Sequence, residues 1–306
     1  MVLQQWKKAQ QEKRLKRQKK SVFLFLILII LLLILASSFR FCLGWKKSKI
    51  RELNRVNFVI NSYEVVIVSV VQGKEIVLVD VPEEQKIRLT RGYGDYPISA
   101  IFRLGELDHK GLNLLTETIQ EYFAVPLQGA IILESLRCQK SPKFCLDKIL
   151  LESLLGKVKT DFSFSDLLIL WWRVKRTSWF NFKEVKIKDL EQKKLDNLLT
   201  KIFLDEKVSQ ENLAISVFNS TDFPGLGNQG ARIITNFGGR VISVGNSDLK
   251  KNSLLKSPKE VANSYTVKIL KNVFQAKWEE GEVEGGRADI EVYLGEDYWK
   301  KLNEKW

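Results

Sequence analysis

From Val22 to Ala36 the chain runs without a charge or a polar side chain, and Ser37, Ser38 and Phe39 follow before Arg40. A helix rises about 1.5 Å per residue, so roughly 18 to 20 residues cross the hydrocarbon core of a bilayer. Residues 21–39 just reach that length and predict a membrane-spanning helix. The flank Ser37-Ser38-Phe39-Arg40-Phe41 offers no small-x-small exit, which favours a retained anchor over a cleaved signal peptide. Residues 1–20 form a basic tail from Lys7 to Lys20 and are expected in the cytoplasm, although Arg40, Lys46, Lys47, Lys49 and Arg51 crowd the opposite flank. The expected location is the cell membrane, single-pass, with the main domains extracytoplasmic.

The 306 residues carry 49 basic and 36 acidic side chains, a net charge of +13. A basic protein beside a membrane attracts anionic head groups or anionic polymers. Nucleic acid is not expected as a partner of a domain facing outward. His109 is the sole histidine. It stands in Glu106-Leu-Asp-His109-Lys-Gly, read as a solvated helix start, so histidine-based catalysis has little to draw on. Cys42 adjoins the hydrophobic run. Cys138 and Cys145 enclose a short loop and are either a disulfide or two thiols. Two thiols and a distant histidine make a poor zinc site, and no metal is expected.

The chain after a juxtamembrane stretch (40–55) predicts an α/β fold of two parts: a mixed-sheet domain over 56–190, a charged linker over 191–211 and a small βαβαβ domain over 212–300. Val56–Ile60, Tyr63–Val71 and Glu75–Val81 are rich in β-branched residues, and Gln72-Gly73 marks a hairpin between the last two. Lys86–Thr90 reads as a short strand and Arg91–Pro97 as a loop. Leu112, Leu115, Ile119 and Phe123 recur at helical spacing and predict a helix over 107–123. Gly129–Ser135 reads as a strand and Phe144–Leu155 as a helix. The stretch from Asp161 to Asp166 offers caps for a helix through Trp171, Trp172 and Val174. That Trp pair beside Arg173, Lys175 and Arg176 reads as core with a basic edge, or as a lipid- or sugar-contacting face. Lys188–Glu206 predicts a linker helix.

The second part predicts a strand over 213–218, a loop from Asn219 to Gly230 running into a helix that ends at Gly238-Gly239, a strand over 240–244, a helix from Lys256 to about Phe274 and a strand over 288–294. Its first crossover should be parallel and right-handed. Gly225-Leu-Gly227-Asn-Gln-Gly230 matches the dinucleotide fingerprint. Pro224 intervenes and the first glycine stands well past the strand, so the turn is not tight. These glycines are read as serving loop geometry and close helix-to-strand packing.

Ile215-Ser-Val-Phe-Asn219-Ser-Thr, Pro224-Gly-Leu-Gly, Phe237-Gly-Gly-Arg-Val-Ile-Ser-Val-Gly-Asn246-Ser and Ala288-Asp-Ile-Glu-Val-Tyr-Leu-Gly295-Glu-Asp297 resemble, in order and spacing, the C-terminal domain of the LytR-CpsA-Psr envelope family. They mark Asn219, Thr221, Gly225 and Gly227 as the candidate loop of that domain. Tyr63–Val70, Lys74–Pro82 and Tyr96–Phe102 resemble a degenerate version of the family's catalytic domain, whose active members move glycopolymers from a polyprenyl pyrophosphate carrier to peptidoglycan. The resemblance implies arginines gripping the pyrophosphate and acids holding a divalent metal. Where relatives read Ser-Ile-Pro-Arg-Asp, this chain reads Asp80-Val81-Pro82-Glu83-Glu84. Arg88, Arg91 and Arg103 are the candidate anion-binding residues that remain.

These readings converge on a non-catalytic, membrane-anchored cell-envelope protein, with no cofactor, that binds wall polymer, lipid-linked precursor or an envelope protein. Two alternatives stand beside it. One is a divergent, magnesium-dependent phosphotransferase attaching glycopolymers to peptidoglycan. The other is an anchored interaction module whose first domain is unrelated to that family.

Overall fold

The computed structural model describes residues 48–62, 64–133, 141–187, 191–283 and 286–306. The apolar run 21–39, its basic tail, Cys42, Tyr63 and Cys138 lie outside them. Among the described residues no helix is long and apolar enough to cross a membrane. Residues 49–306 form one compact unit, a mixed α/β structure built on two larger sheets of mixed strand orientation and one two-stranded ribbon.

The first sheet has the order β7-β6-β1-β2-β3-β8. β1 (Arg55–Asn61), β2 (Val65–Val71) and β3 (Ile76–Val81) form an antiparallel meander. Gly73 turns the β2–β3 hairpin at φ 72°, a left-handed conformation that suits glycine. β6 (Gly129–Ile132) and β8 (Phe182–Lys186) flank the meander in parallel, and β7 (Lys159–Thr160) pairs antiparallel with β6. All seven residues of β1 are buried, because both faces of the sheet are covered. Register puts Val59, Ile67 and Val79 on one face, in a core shared with Leu115, Ile119, Leu199 and Phe203. Phe58 on the other face meets Phe162 edge-on, with centroids 5.7 Å apart.

The helices differ in detail from the sequence pattern. The helix expected over 107–123 begins only at Gly111, as α2 (Gly111–Phe123), and a short helix the pattern did not mark, α1 (Ile101–Glu106), precedes it. His109 lies in the turn between them at φ 56°, not at a helix start. The two helices approach so closely that a Cβ on Gly105 would lie 2.8 Å from the Gly111 Cα. The expected loop Arg91–Pro97 contains β5 (Gly94–Pro97), which pairs with β4 (Lys86–Leu89). α3 (Pro142–Leu154) and α4 (Phe164–Arg176) form as the pattern indicates. Ser163 caps α4 reciprocally with Asp166, a capping box. α5 (Gln192–Phe203) and α6 (Glu206–Glu211) occupy the charged segment 191–211. Leu195, Leu199 and Phe203 of α5 are buried in the first core.

The second sheet has the order β10-β9-β13-β11-β12. β9 (Ala214–Asn219) leads through α7 (Leu226–Asn236) to the parallel β10 (Arg240–Asn246). The segment from Lys256 is not all helix. β11 (Leu254–Ser257) precedes α8 (Tyr265–Phe274), which Ser264 caps; β12 (Lys277–Glu280) and β13 (Ile290–Leu294) complete the sheet. α9 (Glu296–Asn303) closes the fold.

Candidate functional site

The two sheets meet along α2, α5, α7 and α9, and the seam is wired by polar side chains. The Glu121 carboxyl is fully buried there. It accepts from the Tyr298 hydroxyl (2.6 Å) and from Gln229 Nε2 (2.9 Å). Burial pushes Glu121 above the usual carboxylate range and Tyr298 well above an ordinary phenol; the donated hydrogen bonds only partly offset this for Glu121. On the same seam Arg232 grips Asp196 with a fork: Nε lies 2.9 Å from each carboxylate oxygen and Nη2 2.7 Å from one. Nη2 also donates to the Tyr122 carbonyl at 3.0 Å. A planar guanidinium meets both a carboxylate and a carbonyl without distortion, which a lysine would not.

Beside these groups opens a cavity of about 720 Å³. Its walls come from β4 and Thr90, the end of α2, the N-terminal turn of α7, and α9. Arg88 lines it, is exposed, and makes no ion pair among the described residues. Trp299 lines it too, stacked flat on Phe223 with centroids 3.6 Å apart and planes 7° from parallel. Asn228 adds a side-chain amide, and Thr90, Gln229 and Asn303, bonded to Thr118, Glu121 and the Trp299 carbonyl, complete the wall. The first turn of α7 carries no acidic residue and no capping side chain, so its amide groups bring partial positive charge to the rim. A concave site with one free cation, amide donors and an aromatic shelf fits a polar, anionic ligand with flat apolar faces, such as a charged sugar.

The three arginines marked by sequence do not converge. Arg88 faces this cavity. Arg91 pairs with Glu117 (Nε to Oε2 2.9 Å, Nη2 to Oε1 3.1 Å) and lies 3.7 Å from the Trp306 ring centroid, so its charge serves the fold. Arg103 lines a different hollow with Asn61, Ser62 and Ser99. In the 219–230 loop, Asn219 accepts from the backbone and hydroxyl of Thr221 (3.1 and 2.7 Å) and donates to the Phe223 carbonyl (2.8 Å). Asn219 and Thr221 therefore shape the loop that carries Phe223 to Trp299. Gly225 sits at φ 91° on the cavity wall as the N-cap of α7. A Cβ on Gly227 would lie 3.1 Å from Val244, and one on Gly230 2.6 Å from Leu294. Close packing and loop geometry account for the three glycines. Cys145 is disulfide-bonded; Cys138 lies outside the described residues. Glu121, Arg232, Asp196 and Trp299 carry no motif, and only the fold brings them together.

A second electrostatic feature sits at the end of β3. Asp80 is held above the usual carboxylate range by burial, with Glu64 and Glu184 adding to the rise and Lys186, 3.8 Å away, opposing it. Glu83 is raised by burial and by Glu64 and Glu84. Carboxylates that raise one another define a negative local field.

No protein-family model matches the chain, and no curated protein matches it. Two solved structures are similar over part of the fold. One is described as the transcriptional regulator yvhJ from Bacillus subtilis: 9% identity, TM-score 0.35, covering 45% of this chain and 84% of that one. The other is B. subtilis TagU: 10% identity, TM-score 0.35, covering 49% of this chain and 95% of that one. At that score the likeness is a distant one of architecture and carries no argument about activity.

Proposed function

We propose that this chain is a membrane-anchored cell-envelope protein that recognises an anionic glycopolymer, free or lipid-linked, in the cavity between its two sheets, and does not transfer it. The observation that carries the non-catalytic half is the acidic cluster Asp80, Glu83, Glu84 and Glu64. Within it, Glu83 stands where the resemblance drawn from sequence expects an arginine against pyrophosphate. A local field that already raises Asp80 and Glu83 opposes the approach of a further anion. The binding half rests on the cavity: Arg88 supplies charge, α7 supplies amide donors, and Trp299 on Phe223 supplies a face for a sugar ring.

The test uses full-length protein in detergent micelles, incubated with a radiolabelled polyprenyl-pyrophosphate-linked glycan, peptidoglycan acceptor and magnesium. Retention of the labelled glycan on the protein, weakened by Arg88→Ala, with no label moved to the acceptor, is the expected result. Label in the acceptor that disappears on substituting an arginine would establish the transferase instead.

A further inference from the structure

The outer face of α3 and α4 is apolar where the surface of a soluble domain would be polar. Residues 164, 168, 172 and 176 of α4 follow at a spacing of four, which aligns them in one stripe. Phe164 and Trp172 are exposed, and Arg176 stacks 4.5 Å above the Trp172 ring. The opposite stripe, Leu167, Leu170 and Val174, is buried in the protein. Helix α3 repeats the pattern. Lys148 and Leu151 are exposed, as is Leu155 just past the helix end, while Leu146, Ile149 and Leu150 are buried. An ion pair from Asp147 to Lys175 (2.8 Å) and a bond from Lys143 to the Thr177 carbonyl lay α3 antiparallel along α4. Just past α4, the Trp179 and Phe180 rings touch at a tilt, centroids 4.0 Å apart, with 65% and 75% of their surfaces in solvent. Single exposed apolar residues are ordinary; six large ones in thirty residues mark an interaction surface.

Two observations choose the occupant. The first is charge: residues 141–186 carry nine Lys and Arg against five Asp and Glu. Tryptophan at a solvent boundary with long cations beside it is the composition of the lipid headgroup layer. The second is where the folded chain begins. Arg173 of α4 donates to the carbonyls of Ile50 (3.2 Å) and Leu53 (2.8 Å), so the start of the fold is fastened to this helix. Residues 40–49, between the apolar run and that point, reach at most about 35 Å when fully extended. The apolar face is thus kept within a short tether of any bilayer that the run enters.

We infer that this face, centred on Trp172, Trp179 and Phe180 and flanked by Lys148 and Arg176, rests on the headgroup layer of that bilayer and binds its anionic lipid. The inference relies on residues 21–39 being the anchor, and the experiment separates the two. Full-length protein is reconstituted into vesicles of about three parts phosphatidylcholine, brominated in its acyl chains, to one part phosphatidylglycerol, a surface of moderate negative potential. Bromine quenches tryptophan only within the bilayer boundary. The quenched fraction of emission should fall by roughly half in the Trp172→Phe, Trp179→Phe double variant, because those indoles would sit at the interface. It should fall likewise in Lys148→Glu with Arg176→Glu, and when phosphatidylglycerol is omitted. Protein that leaves the vesicles in alkaline carbonate refutes the anchor and the docking together. Protein that stays, with quenching equal in wild type and double variant, refutes the docking alone. Quenching that varies with the protein-to-lipid ratio assigns the face to a second copy of the chain and overturns the lipid assignment.

Discussion

Replacing Tyr298 by Phe removes one hydroxyl and nothing else from the seam between the sheets. The ring stays packed edge-on to Phe274, with centroids 5.4 Å apart, so no cavity forms. What is lost is the 2.6 Å bond to a fully buried carboxyl. The Glu121 oxygen that accepted it keeps only Gln120, at 3.4 Å. Leaving a buried acceptor unsatisfied costs about 1–3 kcal/mol. About 2 kcal/mol is the expected loss, or roughly 4–8 °C in Tm for a unit of this size. Differential scanning fluorimetry of full-length protein in detergent reads it. The distant Tyr93→Phe, whose hydroxyl bonds Asp108 at the exposed surface, should shift Tm by less than a quarter as much. Equal shifts for the two variants would refute the view that the Glu121 contacts hold the sheets together.

Glu121→Gln tests the same carboxyl by pH. Burial raises Glu121 in the folded protein above its unfolded value, so the folded state holds the proton longer. Its stabilising contribution is complete below the unfolded value and is lost as pH rises through the folded one. The Gln variant should therefore gain Tm relative to wild type on moving from pH 4 to pH 8, and parallel Tm curves would contradict the assignment. Ser163→Ala removes the cap of α4 and should cost about 1 kcal/mol by urea unfolding, with Asp166→Ala no more than additive losses beyond it. Gly225→Ala meets no atom within 4 Å, yet it forces a Cβ into φ 91°. It should lose about 1–2 kcal/mol of stability from backbone strain alone, against no loss if the loop is free to relax.

The core of the fold was readable where chemistry repeats. β1 to β3 are runs of valine and isoleucine with a glycine hairpin, and α4 announces itself through Ser163 and Asp166. What escaped were strands that exist only because a neighbour supplies their hydrogen bonds. β8 (Phe182–Lys186) and β12 (Lys277–Glu280) are short, charged and at sheet edges, so their side chains show no apolar alternation. β5 hides in a Gly- and Tyr-rich stretch for the same reason. The late start of α2 and the separate α1 before it go with the close approach of Gly105 to Gly111, a tertiary event that periodicity does not record. At the site, the glycine loop was legible as a motif. Glu121, Asp196, Arg232 and Trp299 come from four separate segments and have no local signature. Arg91 shows the converse: its type suggested anion binding, but Glu117 pairs its charge and the Trp306 ring covers it.

Isothermal titration of full-length protein with a short phosphodiester-linked oligosaccharide puts the central claim to the sharpest test. Saturable binding should weaken about tenfold in Arg88→Ala, the loss of one well-placed ionic contact of about 1.4 kcal/mol, while Arg103→Ala leaves it unchanged and Tm is unaltered in both. Binding that is absent, or that falls equally when either arginine is removed, would contradict recognition in the cavity between the sheets.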